Sequence, residues 1–523
     1  MQSPSLPFKV LALGPFTLQE KKDYLREPIR VDQNHPDQVI EKLNLSLSIS
    51  LPQNLCRWDH LSLDLKRFKD FHPDSLIENH PSLKNLLEAK KFAEESKTRG
   101  LAEEEIYQRL KKWPGLPVEI RFEPTRAREE ISSPVDDILK MVAMPGEGPA
   151  SPPGSQPFAT QMNLVLQQIL GQVFSDPDFR NLESTWQGLQ FLMKQKGADE
   201  NITFEFVPVS LDSLEETLNH LLPCLVEDLP SLILFDLPFD QSPRSLDLLE
   251  KVALFSETLL TPCLCWITPK FLYLNQWEEL GRLPFLPHYF DEPAFAKWRR
   301  LKGLPSAKWM VLTCNRFLVR YPYGPDHRPK WVGFDESDFL WVSPVWAAGS
   351  LVLQSLHKTG WPTRFTEWQN MRLGDLALHL VDANRSIPTE TNFSDERIGQ
   401  FIRGGITPLV SPLNKDFAFI PKETTSGGSS LGYQLFLSRI TRFLFWCKDH
   451  FEKDLDPGLL EQNLKKAFSL FWERSGALIP NSLEISVNRQ KGGQSIVVKI
   501  VVEPSRQMLP SQEKVEFELS WGE

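Results

Sequence analysis

The chain has 523 residues, 41% of them hydrophobic and 11% aromatic, and a net charge of −10, so it is long enough for roughly three domains and too acidic for a general nucleic-acid-binding surface. Its six cysteines are scattered and form no Cys-x-x-Cys pair, which predicts reduced thiols in a cytoplasmic protein. No basic segment followed by an apolar run opens the chain, and no apolar stretch nears the roughly 20 residues that cross a bilayer, so neither a signal peptide nor direct membrane insertion is expected.

Phe8 to Leu13 reads as a strand ending at Gly14-Pro15, and Pro36 to Leu43 as a short helix. Leu45 to Leu51 and Leu61 to Leu65 alternate apolar and polar residues, the pattern of half-buried strands. Phe68 to Leu76 leads from a loop into a helix, and helices follow over Pro81 to Glu94 and Ala102 to Trp113. Pro117 to Phe122 alternates and is a further candidate strand. From Thr125 to Pro157 the composition shifts to Arg, Glu, Ser, Pro and Gly, as in a flexible linker. Within it, Ser133 to Val142 carries a capping signal and the apolar residues Ile138, Leu139 and Val142, a short amphipathic helix.

The largest folded stretch follows. Gln161 to Phe174 is helical, and Ser175 or Asp176 caps a second helix with Pro177 in its first turn. Phe179, Leu182, Trp186, Leu189 and Leu192 place an apolar face on that helix. Strands over Ile202–Val209, Leu232–Asp236 and Pro262–Ile267 alternate with helices over Leu211–Leu222 and Ser245–Leu260, which argues for an α/β layer with helices on the sheet faces. Leu340 to Lys358 reads as a long core helix, Gly404 to Val410 and Phe417 to Ile420 as a closing pair of strands, and Leu431–His450 and Leu459–Ser475 as two long helices. The chain ends in a hairpin, with strands over Leu483–Val487, Ser495–Val502 and Val515–Leu519.

No phosphate-binding loop, dinucleotide fingerprint or His-Glu-x-x-His motif occurs, and no two histidines have metal-ligand spacing, so no cofactor and no metal are expected. Gly428-Ser-Ser430-Leu-Gly432 fits Gly-x-Ser-x-Gly, but a loop precedes Ser430 where a nucleophile elbow needs a buried strand. Asp236 ends an apolar strand, where α/β enzymes place acids and where helix caps are commoner. The plain reading of His379 is a packed histidine, and of Lys297-Trp298-Arg299-Arg300 a subunit contact.

Two ordered sets of motifs carry a resemblance. Phe68-x-x-Phe71-His72-Pro73-Asp74, followed by Pro81-x-Leu83-x-x-Leu86-Leu87-Glu88, resembles the small subunit of the type VI secretion contractile sheath. Asp176-Pro-x-Phe179 with Leu182-Glu183-x-x-Trp186-x-Gly188-Leu189 resembles the opening helix of the large subunit. The large-subunit likeness continues through Leu232–Phe239, Lys297-Trp298, Arg320-Tyr-Pro322-Tyr323-Gly324, the helix between Trp341 and Trp361, Pro388-Thr389-Glu390, Gly405–Val410 and the closing helices and hairpin. Two subunits that are usually separate chains stand fused here, and Tyr321 occupies a position that is Leu in the family pattern.

The resemblance implies an α/β sheath-type fold with an α+β N-terminal part, a mixed sheet covered by helices and a C-terminal handle sheet. It divides the chain into 1–124 (small-subunit-like), 125–160 (linker), 161–430 (large-subunit-like) and 431–523 (terminal helices and hairpin). It implies a non-enzymatic protomer of a helical homopolymer around an inner-tube hexamer, seated on baseplate components. Protomers would be tied by strands exchanged through Phe8, Val10, Leu11, Ile496, Val498, Ile500, Phe517 and Leu519. A Clp-type AAA+ ATPase would grip Ile138, Leu139 and Met141. Two other readings stand beside it: an α/β hydrolase-like enzyme using Asp236 or Ser430, and a non-polymerising adaptor or cap of the same fold.

Overall fold

A computed structural model of the chain describes residues 6–18, 27–32, 34–53, 55–117, 120, 157–195, 201–452, 456–489 and 496–521. They form two compact units, one of residues 1–39, 181–321 and 340–523, the other of residues 40–180 and 322–339. Strand pairing builds the first strand, Phe8–Gly14, into the larger unit.

The larger unit is organised on a seven-stranded sheet. Its strands are β1 (Phe8–Gly14), β2 (Ile29–Arg30), β3 (Ile202–Pro208), β4 (Leu232–Phe239), β5 (Cys263–Ile267), β6 (Met310–Cys314) and β7 (Ile406–Pro408), in spatial order β7-β6-β5-β4-β1-β3-β2. All neighbours are parallel except β2, which runs antiparallel to β3. β1 lies between β3 and β4, with Phe8 opposite Ile202 and Val10 opposite both Phe204 and Leu232, and it is buried throughout. Continuous apolar runs such as Val10–Leu13 and Cys263–Ile267 suit a parallel sheet covered on both faces.

The helices of ten or more residues among the described residues of this unit are α1 (Pro177–Lys194, in it from Asn181 onward), α2 (Leu214–Glu227), α3 (Pro243–Thr258), α4 (Pro344–Thr359), α5 (Asp395–Gly404), α6 (Leu431–His450) and α7 (Pro457–Arg474). Ile233 and Phe235 share one core with Leu249 and Val252 of α3, while Leu234 points to Gly349 of α4. Alternate residues of β4 thus serve opposite faces, and helices cover both. A second core is built from Phe436, Phe443, Leu464, Phe468 and Phe471 of α6 and α7 against Ile485, Val498 and Ile500. Those last residues belong to a three-stranded antiparallel sheet, β8 (Ser482–Arg489), β9 (Ile496–Glu503) and β10 (Val515–Trp521), with β9 in the centre. Phe417–Ile420 forms no ladder with β7. A single bridge, Val410 with Phe419, joins the two stretches, and Ala418 bridges Leu373 instead.

The smaller unit holds a hairpin, Leu45–Ser50 with His60–Leu65, whose alternating burial matches its alternating sequence. Helix Pro81–Thr98 packs against helices Pro73–Asn79, Glu103–Lys111 and Phe158–Ser175, and Leu83, Leu86, Leu87, Leu166 and Leu170 are buried. The linker and its helix over Ser133–Val142 lie outside the described residues, as do four of the six residues of Pro117–Phe122. Among the described residues, no helix is long and apolar enough to cross a membrane.

Candidate functional site

The residues singled out by motif gather at three places. The first is inside the smaller unit. Pro73 opens a helix whose first turn is capped by His72 Nδ1, which accepts from Asp74 N at 3.2 Å. The Asp74 carboxylate accepts from the backbone N–H of Lys330 and Trp331, 3.0 Å each. Phe71 lies 5.8 Å from Phe179, Phe179 5.1 Å from Phe174, and Phe174 5.2 Å from Tyr323, ring centre to ring centre. Tyr323 also meets His72 at 5.5 Å and Phe334 at 5.5 Å. Pro322 begins this segment, and Gly324 N donates to His327 O at 3.3 Å. The small-subunit motif and two pieces of the large-subunit motif therefore build one aromatic core.

Arg180 and Glu336 complete it and were not singled out from the sequence. Arg180 donates to Phe174 O at 2.9 Å, Phe339 O at 2.6 Å and Glu336 Oε1 at 3.2 Å, and the Glu336 side chain is 1% exposed. The signal was present: a cation in the first turn of a helix opposes the helix dipole and calls for a specific acid partner.

The second place is on α1 within the larger unit. Leu182, Glu183 and Trp186 are buried, each 1% exposed. Arg320 holds Glu183 bidentately, Nε to Oε1 at 2.8 Å and Nη2 to Oε2 at 3.1 Å, a pairing that a guanidinium fork makes and an ammonium does not. Trp186 Nε1 donates to Phe16 O at 3.2 Å. Next to it, Asp236 Oδ2 accepts from Thr185 Oγ1 at 2.9 Å and Trp346 Nε1 at 3.0 Å. Asp236 sits within β4 and does not end it, and burial pushes its carboxyl above the usual range against the pull of those hydrogen bonds. Both contacts hold it as a core acceptor.

The third place is the Pro388-Thr389-Glu390 stretch. Leu318 N donates to Pro388 O at 2.9 Å, and Glu390 accepts from Arg316 N at 2.8 Å and Arg316 Nη2 at 2.7 Å. Thr389 is fully buried, its hydroxyl bonded to Ser411 and its carbonyl to His379 Nε2 at 2.7 Å. The half-buried His379 ring also stands 5.1 Å from the Trp341 ring.

Ser430 is the N-cap of α6. Its Oγ donates to Glu423 Oε1 at 2.5 Å and accepts from Tyr433 N at 3.1 Å, and no buried strand precedes it. Lys297 and Arg300 reach Asp247 and Glu250 of the same chain at 2.6 and 2.5 Å. Among the described residues, no group of three His, Cys, Asp or Glu side chains is placed to hold a metal ion.

The strand-exchange residues fall in different situations. Phe8, Val10 and Leu11 lie in β1, and Ile496, Val498 and Ile500 in β9. Both strands are hydrogen-bonded on two sides within the chain, so in this arrangement neither has an edge to offer. Phe517 and Leu519 lie in β10, which with β8 forms the outer edges of the terminal sheet. Ile138, Leu139 and Met141 lie outside the described residues.

Fold and site define a structural α/β protein: the motif residues are spent on packing, capping and one buried ion pair. Residues 158–225 and 230–426 match the family model described as VipB (EvpB/VC_A0108, tail sheath N-terminal domain). Residues 1–112 match the model described as type VI secretion system, VipA, VC_A0107 or Hcp2. The chain belongs to the type VI secretion tail-sheath family, with the small-subunit and large-subunit segments in one polypeptide. The type VI secretion system sheath protein TssC1 of Pseudomonas aeruginosa is 26% identical over 293 residues, which are 50% of this chain and 57% of that protein. Similar solved structures include the sheath tail protein of Desulfitobacterium hafniense, at TM-score 0.33 and 8% identity over 58% of this chain and 59% of that one. A chain of the anti-feeding prophage baseplate aligns at TM-score 0.35 and 12% identity, over 64% of this chain and 76% of that one.

Proposed function

We propose that the chain is the repeating protomer of a contractile, type VI secretion-like sheath, which polymerises in the cytoplasm around an inner tube of hexameric rings and contracts to propel it. The observation that supports this most is the shared aromatic core. Phe71, Pro73 and Asp74 of the small-subunit motif and Phe179, Tyr323 and Gly324 of the large-subunit motif belong to one compact unit, so the fused chain supplies alone what two chains supply elsewhere. Protomers are tied by strand addition, the outer edges of β8 and β10 receiving a strand from a neighbour. A tie between different surfaces repeats without closing and so generates a filament. The protomer works without catalysis or cofactor. Its partners are other copies of itself, the inner-tube hexamer, baseplate components and a Clp-type AAA+ ATPase that grips Ile138, Leu139 and Met141.

Negative-stain electron microscopy tests the reading, on the purified chain and on lysate of cells expressing it with its genomic neighbours. Long hollow cogwheel-like tubes are the expected result. Discrete monomers or small oligomers under both conditions would overturn polymerisation in favour of an adaptor or cap. For the ATPase contact, replacing Ile138, Leu139 and Met141 together by Ala should leave contracted sheaths persisting in cells, and normal clearance rejects that contact.

A further inference from the structure

The larger unit carries a row of aromatic rings at its surface. Phe417 and Phe419 flank Ala418, which is fully buried and bridges Leu373 through two backbone hydrogen bonds of 2.9 Å. Alternation along this extended stretch puts both rings on the side opposite Ala418, and each is left half-buried. The Trp368 ring, 40% exposed, lies 5.3 Å from Phe419, and Phe419 lies 6.1 Å from Phe417. The row ends in a cation, the Arg372 guanidinium 4.8 Å from the Phe417 ring centre.

Neither end of the row is engaged within the chain. Among the described residues, no acceptor takes the Trp368 indole N–H and no carboxylate pairs with Arg372. Exposed rings beside a free N–H donor suit a polyproline II segment, which has no internal hydrogen bonds, leaves its carbonyls open and docks on aromatic surfaces with little entropy to lose. The linker contains such a segment, Pro145-Gly-Glu147-Gly-Pro149-Ala-Ser-Pro152-Pro153, outside the described residues. Pro149 and Pro152 stand at Pro-x-x-Pro spacing, so three residues per turn put both on one side, about 9 Å apart. Glu147 supplies the one charge between Pro145 and Pro157, and its sign is opposite to that of Arg372.

We propose that this ledge binds the Pro149-x-x-Pro152 segment of a second copy of the chain. The two prolines lie along the Trp368, Phe419 and Phe417 rings, the Trp368 N–H donates to a carbonyl of the segment, and Glu147 pairs with Arg372. The 36 residues between Ile120 and Pro157 extend up to about 120 Å, which carries the segment beyond its own protomer. Linker and ledge are different surfaces, so the contact repeats from copy to copy. The inference rests on the polymer reading only for the presence of a neighbouring copy.

Fluorescence anisotropy of a labelled peptide of residues 145–157 tests the recognition. The peptide is added to the full chain carrying Pro149→Ser and Pro152→Ser, so that the protein's own linkers do not compete. Saturable binding is expected, weakened about tenfold or more by Trp368→Ala and several-fold by Arg372→Gln, with folding checked by circular dichroism. Absence of saturable binding, equal binding of a peptide with both prolines replaced by Ser, or unchanged affinity in the folded variants overturns the proposal. Hydroxyl-radical footprinting of Trp368 in the unsubstituted chain identifies the source. Protection that grows with protein concentration and vanishes on Pro149→Ser and Pro152→Ser supports a second copy. Protection independent of concentration gives the ledge to the chain's own linker, and that result or none at all overturns the proposed contact. Electron micrographs keep the two readings apart: tubes without peptide binding refute the ledge alone, and peptide binding without tubes refutes the polymer alone.

Discussion

Gly188 is a position at which one added methyl group should do harm out of proportion to its size. It lies on α1 against Trp346, a fully buried side chain on α4. A Cβ at Gly188 would stand 2.4 Å from Trp346 Cδ1 and Nε1 and 2.7 Å from Cε2, where carbon atoms prefer about 3.5–4.0 Å. The indole must therefore shift by about 1 Å, in a core with no slack. Overpacking of this kind costs about 1–3 kcal/mol. The shift also pulls Nε1 away from Asp236 Oδ2, now 3.0 Å away, and leaving a buried acceptor short of a donor costs about 1–3 kcal/mol more. Alanine returns about 1 kcal/mol over glycine in a helix interior. The net expectation for Gly188→Ala is a loss of about 3 kcal/mol, a large share of a stability of about 5–15 kcal/mol. Gly399→Ala is the control: Gly399 lies inside α5 and a Cβ there meets nothing within 4 Å, so that variant should gain up to about 1 kcal/mol. Urea denaturation followed by tryptophan fluorescence compares the two with the unsubstituted chain. A Gly188→Ala midpoint equal to that of the parent or the control would refute the close-contact argument.

The Glu183–Arg320 pair, with side chains 1% and 12% exposed, predicts strong coupling: either Glu183→Met or Arg320→Met should cost about 3–5 kcal/mol by stranding a charge, and the double variant should recover most of it. Additive losses in a double-mutant cycle would show that the two side chains act independently. Because burial raises the carboxyl of Asp236, the folded state holds its proton more tightly than the unfolded chain, and stability attached to that proton is lost as pH rises through the folded pKa. Asp236→Asn, which keeps an acceptor for Thr185 and Trp346, should flatten that part of the profile and leave stability at pH 7 equal or higher; a profile parallel to the parent's refutes it. Glu423 is also raised by burial, so the difference between variant and parent is the quantity to read.

Local pattern was enough for most elements. The alternation of Leu45–Ser50 and His60–Leu65 states which side of each strand is buried, and both strands fold as their period requires. The cap at Asp176, whose carboxylate accepts from Asp178 N and Phe179 N at 3.0 and 2.9 Å, follows from residue type and position alone. The family motifs could also be picked out one by one, because each is a short run of neighbours. Which motifs meet was a different matter. Phe71 and Tyr323 share a core across some 250 residues of chain, and Glu183 finds Arg320 across 137. Such partners are chosen by the path of the whole backbone, and no local spacing records them.

Strand position was decided in the same way. A terminal apolar strand serves equally as an arm lent to a neighbour or as the middle of its own sheet, and only its pairing with β3 and β4 places Phe8–Gly14 in the second role. Its lack of alternation was the one local hint, since an exchanged edge strand has a solvent side and a central parallel strand has none. The sequence by itself determined the elements, their caps and the faces they bury, because those depend on residues a turn or a pleat apart. The tertiary structure decided which carboxylates are core acceptors, which strands keep a free edge and which aromatic rings stay at the surface, because burial and charge at those sites are set by segments far apart in the chain.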